Sequence, residues 1–257
     1  MKRLTRALLT LLTILALTVP THPRGQANTN NEVLNRARGA YYSLARKGFK
    51  GFTAAVEPNW EVILAHTATP KTLAIFRAVQ LSLVVDANGA AAVTHEVDAN
   101  AAKPELQETA NRIHSDVQRL VAGFFNTWRI FVVNSPFPET EIQIENAGAL
   151  YKLSHTTQAG KVTIVMDGDL TIKEWSLAGP TVKRTVKPKF QKTPDGFLLT
   201  SYQGTFEPVG EGIKTTLDFQ IEYQDAGGMK LPQKVRLSGM HGAEPVEAEL
   251  VFRMKAQ

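Results

Sequence analysis

The sequence predicts an α+β protein. A large curved antiparallel β-sheet, an incomplete half-barrel, carries an N-terminal helix and one long helix packed on or across its concave face. Three observations point to that class. From Glu141 to Met254 the chain repeats short runs of alternating apolar and polar residues, separated by Gly, Pro, Asp and Asn. The clearest run puts Ile213, Thr215, Leu217, Phe219, Ile221 and Tyr223 on one parity and Lys214, Thr216, Asp218, Gln220 and Glu222 on the other. A period of two assigns these sets to opposite faces of a sheet. The third observation is the three-four spacing of Leu106, Ala110, Ile113, Val117, Leu120, Val121, Phe124, Trp128 and Phe131, the stripe of an amphipathic helix from Pro104 to about Phe131. About ten strands spaced ~4.8 Å apart make a sheet roughly 50 Å wide, and a helix of about 28 residues is ~42 Å long. The helix overhangs any one strand, so it is expected to cross them while the twisted sheet curls around it.

Residues 1–27 read as a secretory signal peptide and 28–257 as one domain. Lys2, Arg3 and Arg6 precede an apolar stretch from Ala7 to Val19, and Gly25-Gln26-Ala27 supplies small residues for cleavage. That stretch is too short to span a bilayer as a retained helix. The expected location is periplasmic or secreted. The chain has no cysteine, which excludes a lipobox and disulfides and leaves stability to packing and hydrogen bonds.

A first helix is expected from about Asn31 to Lys47, with Val33, Leu34, Ala37, Tyr41 and Leu44 on one stripe and Gly48 at its end. Phe49 to Val56 reads as a strand stopped by Pro58, followed by a helical turn around Asn59 to His66. Ala74 to Val85 and Ala90 to Val97 form a hairpin around Asp86-Ala87-Asn88-Gly89. After the long helix, Asn134-Ser135-Pro136-Phe137-Pro138 breaks the chain. Strands are then expected near 139–145, 149–156, 161–167, 170–177, 181–191, 197–207, 212–224, 230–240 and 245–255. Asp167-Gly168, Pro194-Asp195-Gly196, Ala226-Gly227-Gly228 and Gly242 supply turns between them.

Charge argues against nucleic acid as a partner. The chain has 29 basic and 24 acidic residues; the first 27 hold Lys2, Arg3, Arg6 and Arg24 and no acid, leaving 25 against 24. Phosphate-backbone affinity needs a clustered surplus of cations. Lys183, Arg184, Lys187, Lys189 and Lys192 form a local cluster. It reads as a solvated, edge-protecting strand face in preference to an anion site.

The motifs point to no reaction, and a non-enzymatic protein without cofactor or metal is expected. Neither G-x-S-x-G nor S-x-x-K occurs, and thiol chemistry is excluded. His95-Glu96-Val97-Asp98 starts like a zinc-helix motif but lacks the second histidine and falls in an expected strand. His66, His114, His155 and His241 lack ligand spacing. Asp167-Gly168-Asp169 reads as a hairpin turn rather than a calcium loop, and Glu139 with Glu141 reads as a solvated pair rather than an acid and base.

The aromatic cluster admits two readings. Phe124, Phe125, Trp128 and Phe131 occupy two helical turns. As core they fix the helix on the sheet; as a wall they present apolar surface to a ligand. Phe125 lies off the main stripe. The candidate lining of an apolar site is Val117, Val121, Phe124, Phe125, Trp128 and Phe131 from the helix with Leu217 and Phe219 from the sheet.

The order signal peptide, helix, strand, hairpin, helix and long meander resembles the LolA/LppX-like superfamily of exported lipid and lipoprotein carriers. The residues behind it are Val33-Leu34-Asn35-Arg36-Ala37 leading into Gly51-Phe52-Thr53-Ala54-Ala55-Val56, then Leu83-Val84-Val85-Asp86-Ala87-Asn88-Gly89. The late Ile221-Glu222-Tyr223 and Gly228-Met229-Lys230-Leu231-Pro232-Gln233-Lys234-Val235 complete it. The resemblance implies a half-barrel whose concave face shelters lipid or lipoprotein acyl chains. The helix from Pro104 is longer than the carriers' lid helices, and none of their gating residues matches a position here. The alternative is an envelope interaction or scaffold protein with a solid core, recognising partners through strand edges or loops such as Pro188 to Gly196.

Overall fold

The structure, a computed structural model, describes residues 24–64, 68–97, 104–139 and 141–255. The expected signal segment lies outside them up to residue 23. Helix α1 (Arg24–Ala40) and a 3-10 turn (Ala45–Lys47) precede β1 (Phe52–Pro58), α2 (Trp60–Ile63), α3 (Pro70–Arg77), β2 (Val79–Val85) and β3 (Ala91–Val97). Helix α4 (Pro104–Trp128) continues into a π-helical turn, Arg129–Val133. The meander follows as β4 (Gln143–Ala147), β5 (Leu150–Thr157), β6 (Gly160–Asp167), β7 (Ile172–Ala178) and β8 (Val182–Thr193). It ends with β9 (Gly196–Pro208), β10 (Thr215–Ala226), β11 (Met229–His241) and β12 (Glu244–Met254).

All twelve strands join one open antiparallel sheet in the order β3-β2-β1-β12-β11-β10-β9-β8-β7-β6-β5-β4. The meander from β4 to β12 places consecutive strands side by side, and the early strands are added to its end through β1 against β12, with Ala54 opposite Met254 and Pro58 opposite Leu250. The expected alternation on β10 is realised. Phe219 and Ile221 are buried on the concave face and Leu217 is half-buried, while Asp218, Gln220 and Glu222 are exposed.

Helix α4 crosses the sheet obliquely. Its early residues Ile113 and Val117 face the start of β12. Phe124 meets Phe219 of β10 and Phe252 of β12 at ring separations of 6.2 and 6.4 Å, and Phe131 reaches Phe190 of β8 at 6.0 Å. The π-helical turn closes with Asn134 N donating to Arg129 O at 2.9 Å. Phe131, Val132 and Val133 are all buried there, more consecutive inward positions than a regular helical stripe provides. Gly89, at φ +77°, sits so close to this turn that a Cβ would meet Arg129 Cβ at 2.7 Å.

Edge strand β3 is partly covered. Gln118 Oε1 of α4 accepts from Val93 N at 2.5 Å, and His114 Nε2 lies 2.7 Å from Val93 O. A carbonyl only accepts, so His114 carries its proton on Nε2. These side chains occupy main-chain positions that would otherwise be open to another strand.

Three expectations change. The first helix ends at Ala40 instead of near Lys47, because Tyr41 leaves it to bridge Phe197. The Tyr41 hydroxyl donates to Leu170 O at 2.7 Å and accepts from Ile172 N at 2.8 Å. Ala74 to Arg77 belongs to α3, not to a strand. Thr69 caps that helix by accepting from Thr72 N at 3.1 Å, and Pro70 starts it. The strand expected at 139–145 begins at Gln143.

Candidate functional site

The C-terminal half of α4 is a filled interior. Val121, Phe125, Trp128 and Phe131 are at 0% exposure and Phe124 at 1%. A void wide enough for water would leave its lining accessible, so these side chains meet protein on every side. Phe125, the residue off the stripe, packs edge-on against Phe124, Trp128 and Phe252. Seven of the eight sequence candidates, Phe219 among them, are therefore buried in one packed cluster, and the eighth, Leu217, lies half-buried against it. Val117 alone among the eight also lines an open groove.

That groove, about 460 Å³, lies at the other end of α4. Trp60, Ile63 and Phe76 form one wall, Ile113, Val117 and Leu120 a second, and Val246 with Ala248 of β12 the floor; Arg112, Asp116 and Glu247 stand at its rim. Local chemistry fixes the first wall. Asn59 Oδ1 accepts from Val62 N at 3.3 Å to cap α2, and its Nδ2 donates to Glu249 Oε1 at 3.2 Å. The Trp60 ring then stacks edge-on against Phe76 of α3 at 5.0 Å.

Beyond Val246 at the groove floor, the concave face toward β8 is half-buried. The helix runs toward Phe190 of β8, and concave residues near the turns at 179–181, 209–214 and 242–243 are only half-buried. Register places Val246 beside Gly239, Leu217 beside Gly204, and Gly204 beside Val186. One step outward, Phe206 pairs with Arg184 and Arg184 with Leu177. Val246, Leu217, Phe206, Arg184 and Leu177 are all half-buried, in contrast to the fully buried rows beneath α4.

Arg184 stands out on this strip. Its guanidinium lies 5.1 Å from the Phe206 ring centre, a cation–π arrangement. Gly204 has no side chain to keep Phe206 off the sheet; a Cβ there would meet the Phe206 ring at 3.1 Å. Arg184 Nε is buried without a hydrogen-bond partner. Burial holds the guanidinium below its ordinary pKa; the nearby Tyr202 opposes that shift, and Arg129 adds to it. The buried Tyr202 hydroxyl lies beside Thr127. Desolvation raises the Tyr202 pKa well above its usual value, so the phenol stays neutral.

The sequence cluster of five cations is thus split by strand parity. Lys183, Lys187 and Lys189 are exposed on the convex face. Arg184 shares the concave parity of the buried Val186 and Pro188. Nor does β8 form an edge, since it lies between β7 and β9. Alternation applied to Val186 would have separated Arg184 from the lysines.

A second cavity, about 590 Å³, adjoins the β8–β9 turn and is lined by Ser43, Arg46, Lys47, Lys192, Asp195 and Phe197 among others. Its cations are partly engaged: Lys47 Nζ meets Asp195 at 2.9 Å, and Arg46 donates to the carbonyls of Arg38 and Tyr41.

Among the described residues no group of three or more His, Asp or Glu could hold a metal ion, and no helix is long and apolar enough to cross a membrane. His95 lies in β3 with its ring 4.7 Å from that of His114. Asp167 Oδ1 accepts from Asp169 N and Thr171 N, spending that oxygen on its own turn. Comparison with family models, curated proteins and solved structures finds no match to this chain.

Proposed function

We propose that this is an exported, non-enzymatic binding protein for a lipid or lipid-modified partner, holding an acyl chain in the groove between α2, α3, α4 and β12. The observation that carries the reading is the apolar lining of that groove and its continuation onto half-buried concave surface. Its volume falls within the roughly 300–1,000 Å³ of small-molecule sites, too small for a folded partner. The order of elements resembles that of the LolA/LppX-like carriers and supports the same reading, with the chain held at the mouth of the half-barrel and not in its packed centre.

Titration with cis-parinaric acid tests it. Saturable fluorescence enhancement is expected, and Leu120→Gln should weaken it at least ten-fold while shifting the melting temperature by no more than about 4 °C. Leu120 is half-buried at the groove wall, so the substitution leaves the α4 core intact. Absence of saturable binding to the wild-type protein overturns the proposal.

A second reading, partner recognition through the β8–β9 turn, is favoured by the filled interior and by the cavity beside Asp195. Loss of a protein partner on Asp195→Ala, with parinarate binding unchanged, would support it.

A further inference from the structure

Arg184 presents a charge on an apolar strip with no carboxylate or hydrogen-bond partner among the described residues, only the Phe206 face. Removing a cation from water without a counter-charge is unfavourable. Two arginines on the convex face do meet counter-charges: Arg236 bonds Glu249 at 2.7 Å and Glu222 at 3.0 Å, and Arg253 bonds Glu57 at 2.6 Å. On the concave side the arginine is placed with care and left unmatched. Gly204 lets Phe206 lie flat, and the ring in turn holds the planar guanidinium.

The position of this cation relative to the groove is set by the sheet. From Val246, at the groove floor, the row through Gly239, Leu217 and Gly204 reaches Val186 after four strand spacings, ~19 Å. Arg184 is two residues farther along β8, toward the open end. A ligand with its tail in the groove and its chain over the half-buried Val246, Leu217 and Phe206 would bring its head to the guanidinium.

We propose that Arg184 is a head-group site, so that the preferred ligand is a single-chain amphiphile with an anionic head, a carboxylate or a phosphate monoester. This rests on the reading of the groove as an acyl-chain site and adds the charge of the ligand to it. Arg184 binds the head by charge-assisted hydrogen bonds.

The test compares cis-parinaric acid with its methyl ester, which has the same tail and no charge. Wild-type protein should bind the acid at least ten-fold more tightly than the ester, and Arg184→Gln should erase that preference while leaving ester affinity unchanged. Arg184→Lys should restore only part of it, because a point charge lacks the planar fork. Thermal melting and circular dichroism confirm that each variant is folded. Displacement of the ester by palmitate and by lysophosphatidic acid then tells the two heads apart. Equal wild-type affinity for acid and ester, or an acid preference that survives in Arg184→Gln, overturns the head-group site and leaves the groove standing. Failure of both probes to bind overturns the groove reading and this site with it. Displacement by inorganic phosphate alone, without competition from palmitate or lysophosphatidic acid, shows an anion site unconnected with the groove and also overturns the proposal.

Discussion

The two halves of α4 carry similar apolar stripes but meet the sheet differently. From Phe124 onward every inward residue is sealed, and the π-helical turn extends that seal through Val133. From Ile113 to Leu120 the same stripe borders an open groove. The difference comes from what lies opposite. The later half faces rings, Phe219, Phe252 and Phe190. The earlier half faces Val246 and Ala248, too small to fill the space, and two short helices that stand off to the side. An apolar helix face thus identifies neither core nor ligand wall; the side-chain volume presented by the sheet decides.

The sharpest way to break the comparison is Trp128→Ala. Trp128 is at 0% exposure, so truncation should cost about 3–5 kcal/mol of stability. Its ring packs edge-on against Phe125 at 5.3 Å, so the loss is chiefly one of packing. Parinarate affinity per folded molecule should be unchanged, because Trp128 does not line the groove. Urea denaturation and probe titration measure the two quantities. A large affinity loss with small destabilisation would reverse the assignment of the two halves.

The sheet was legible in the sequence because period-two alternation and turn chemistry agree along the meander, and strand-length errors at most turns are a few residues. The long helix was legible for the same reason at period 3.6. Its openness was not, since the volumes facing Val117 and Leu120 come from β12, more than a hundred residues away. Helix α3 was hidden by Ala74, Ile75 and Phe76, which run into the apolar β2; the Thr69-Pro70 start signal was the available clue. The end of α1 depends on bonds from Tyr41 to Leu170 and Ile172, and no local pattern encodes contacts that distant. Charge density alone groups Arg184 with its lysine neighbours, whereas strand parity puts it with Val186 on the other face.

A smaller effect is expected from Asn59→Ala, which removes the cap of α2 and the bond to Glu249. Stability should fall by about 1 kcal/mol. Trp60 and Ile63 both line the groove from this four-residue helix, so parinarate affinity should fall too, the opposite of the pattern expected for Trp128→Ala. A stability loss with affinity unchanged would mean that α2 is not needed as a wall.

The smallest effect concerns pH and again falls on the groove side. The Glu249 carboxylate is held below its ordinary pKa by the Arg236 hydrogen bond, opposed by burial and assisted by Asn59 and Lys234. A depressed carboxylate stabilises the fold above its unfolded pKa, about 4.3 for a glutamate. That contribution is lost as pH falls from there through the lower folded value. Wild-type stability should therefore decline below about pH 4.3, in part because Glu249 must be protonated before Arg236 and Lys234 lose their partner. Glu249→Gln should be less stable at pH 7 and show a shallower decline on acidification. Urea midpoints at pH 7 and pH 3 read the difference, and an equal decline in both proteins would assign the acid sensitivity to other carboxylates. Since Asn59 binds the same carboxylate from the helix that walls the groove, acidification should loosen this side of α4 before it reaches the aromatic interior around Trp128.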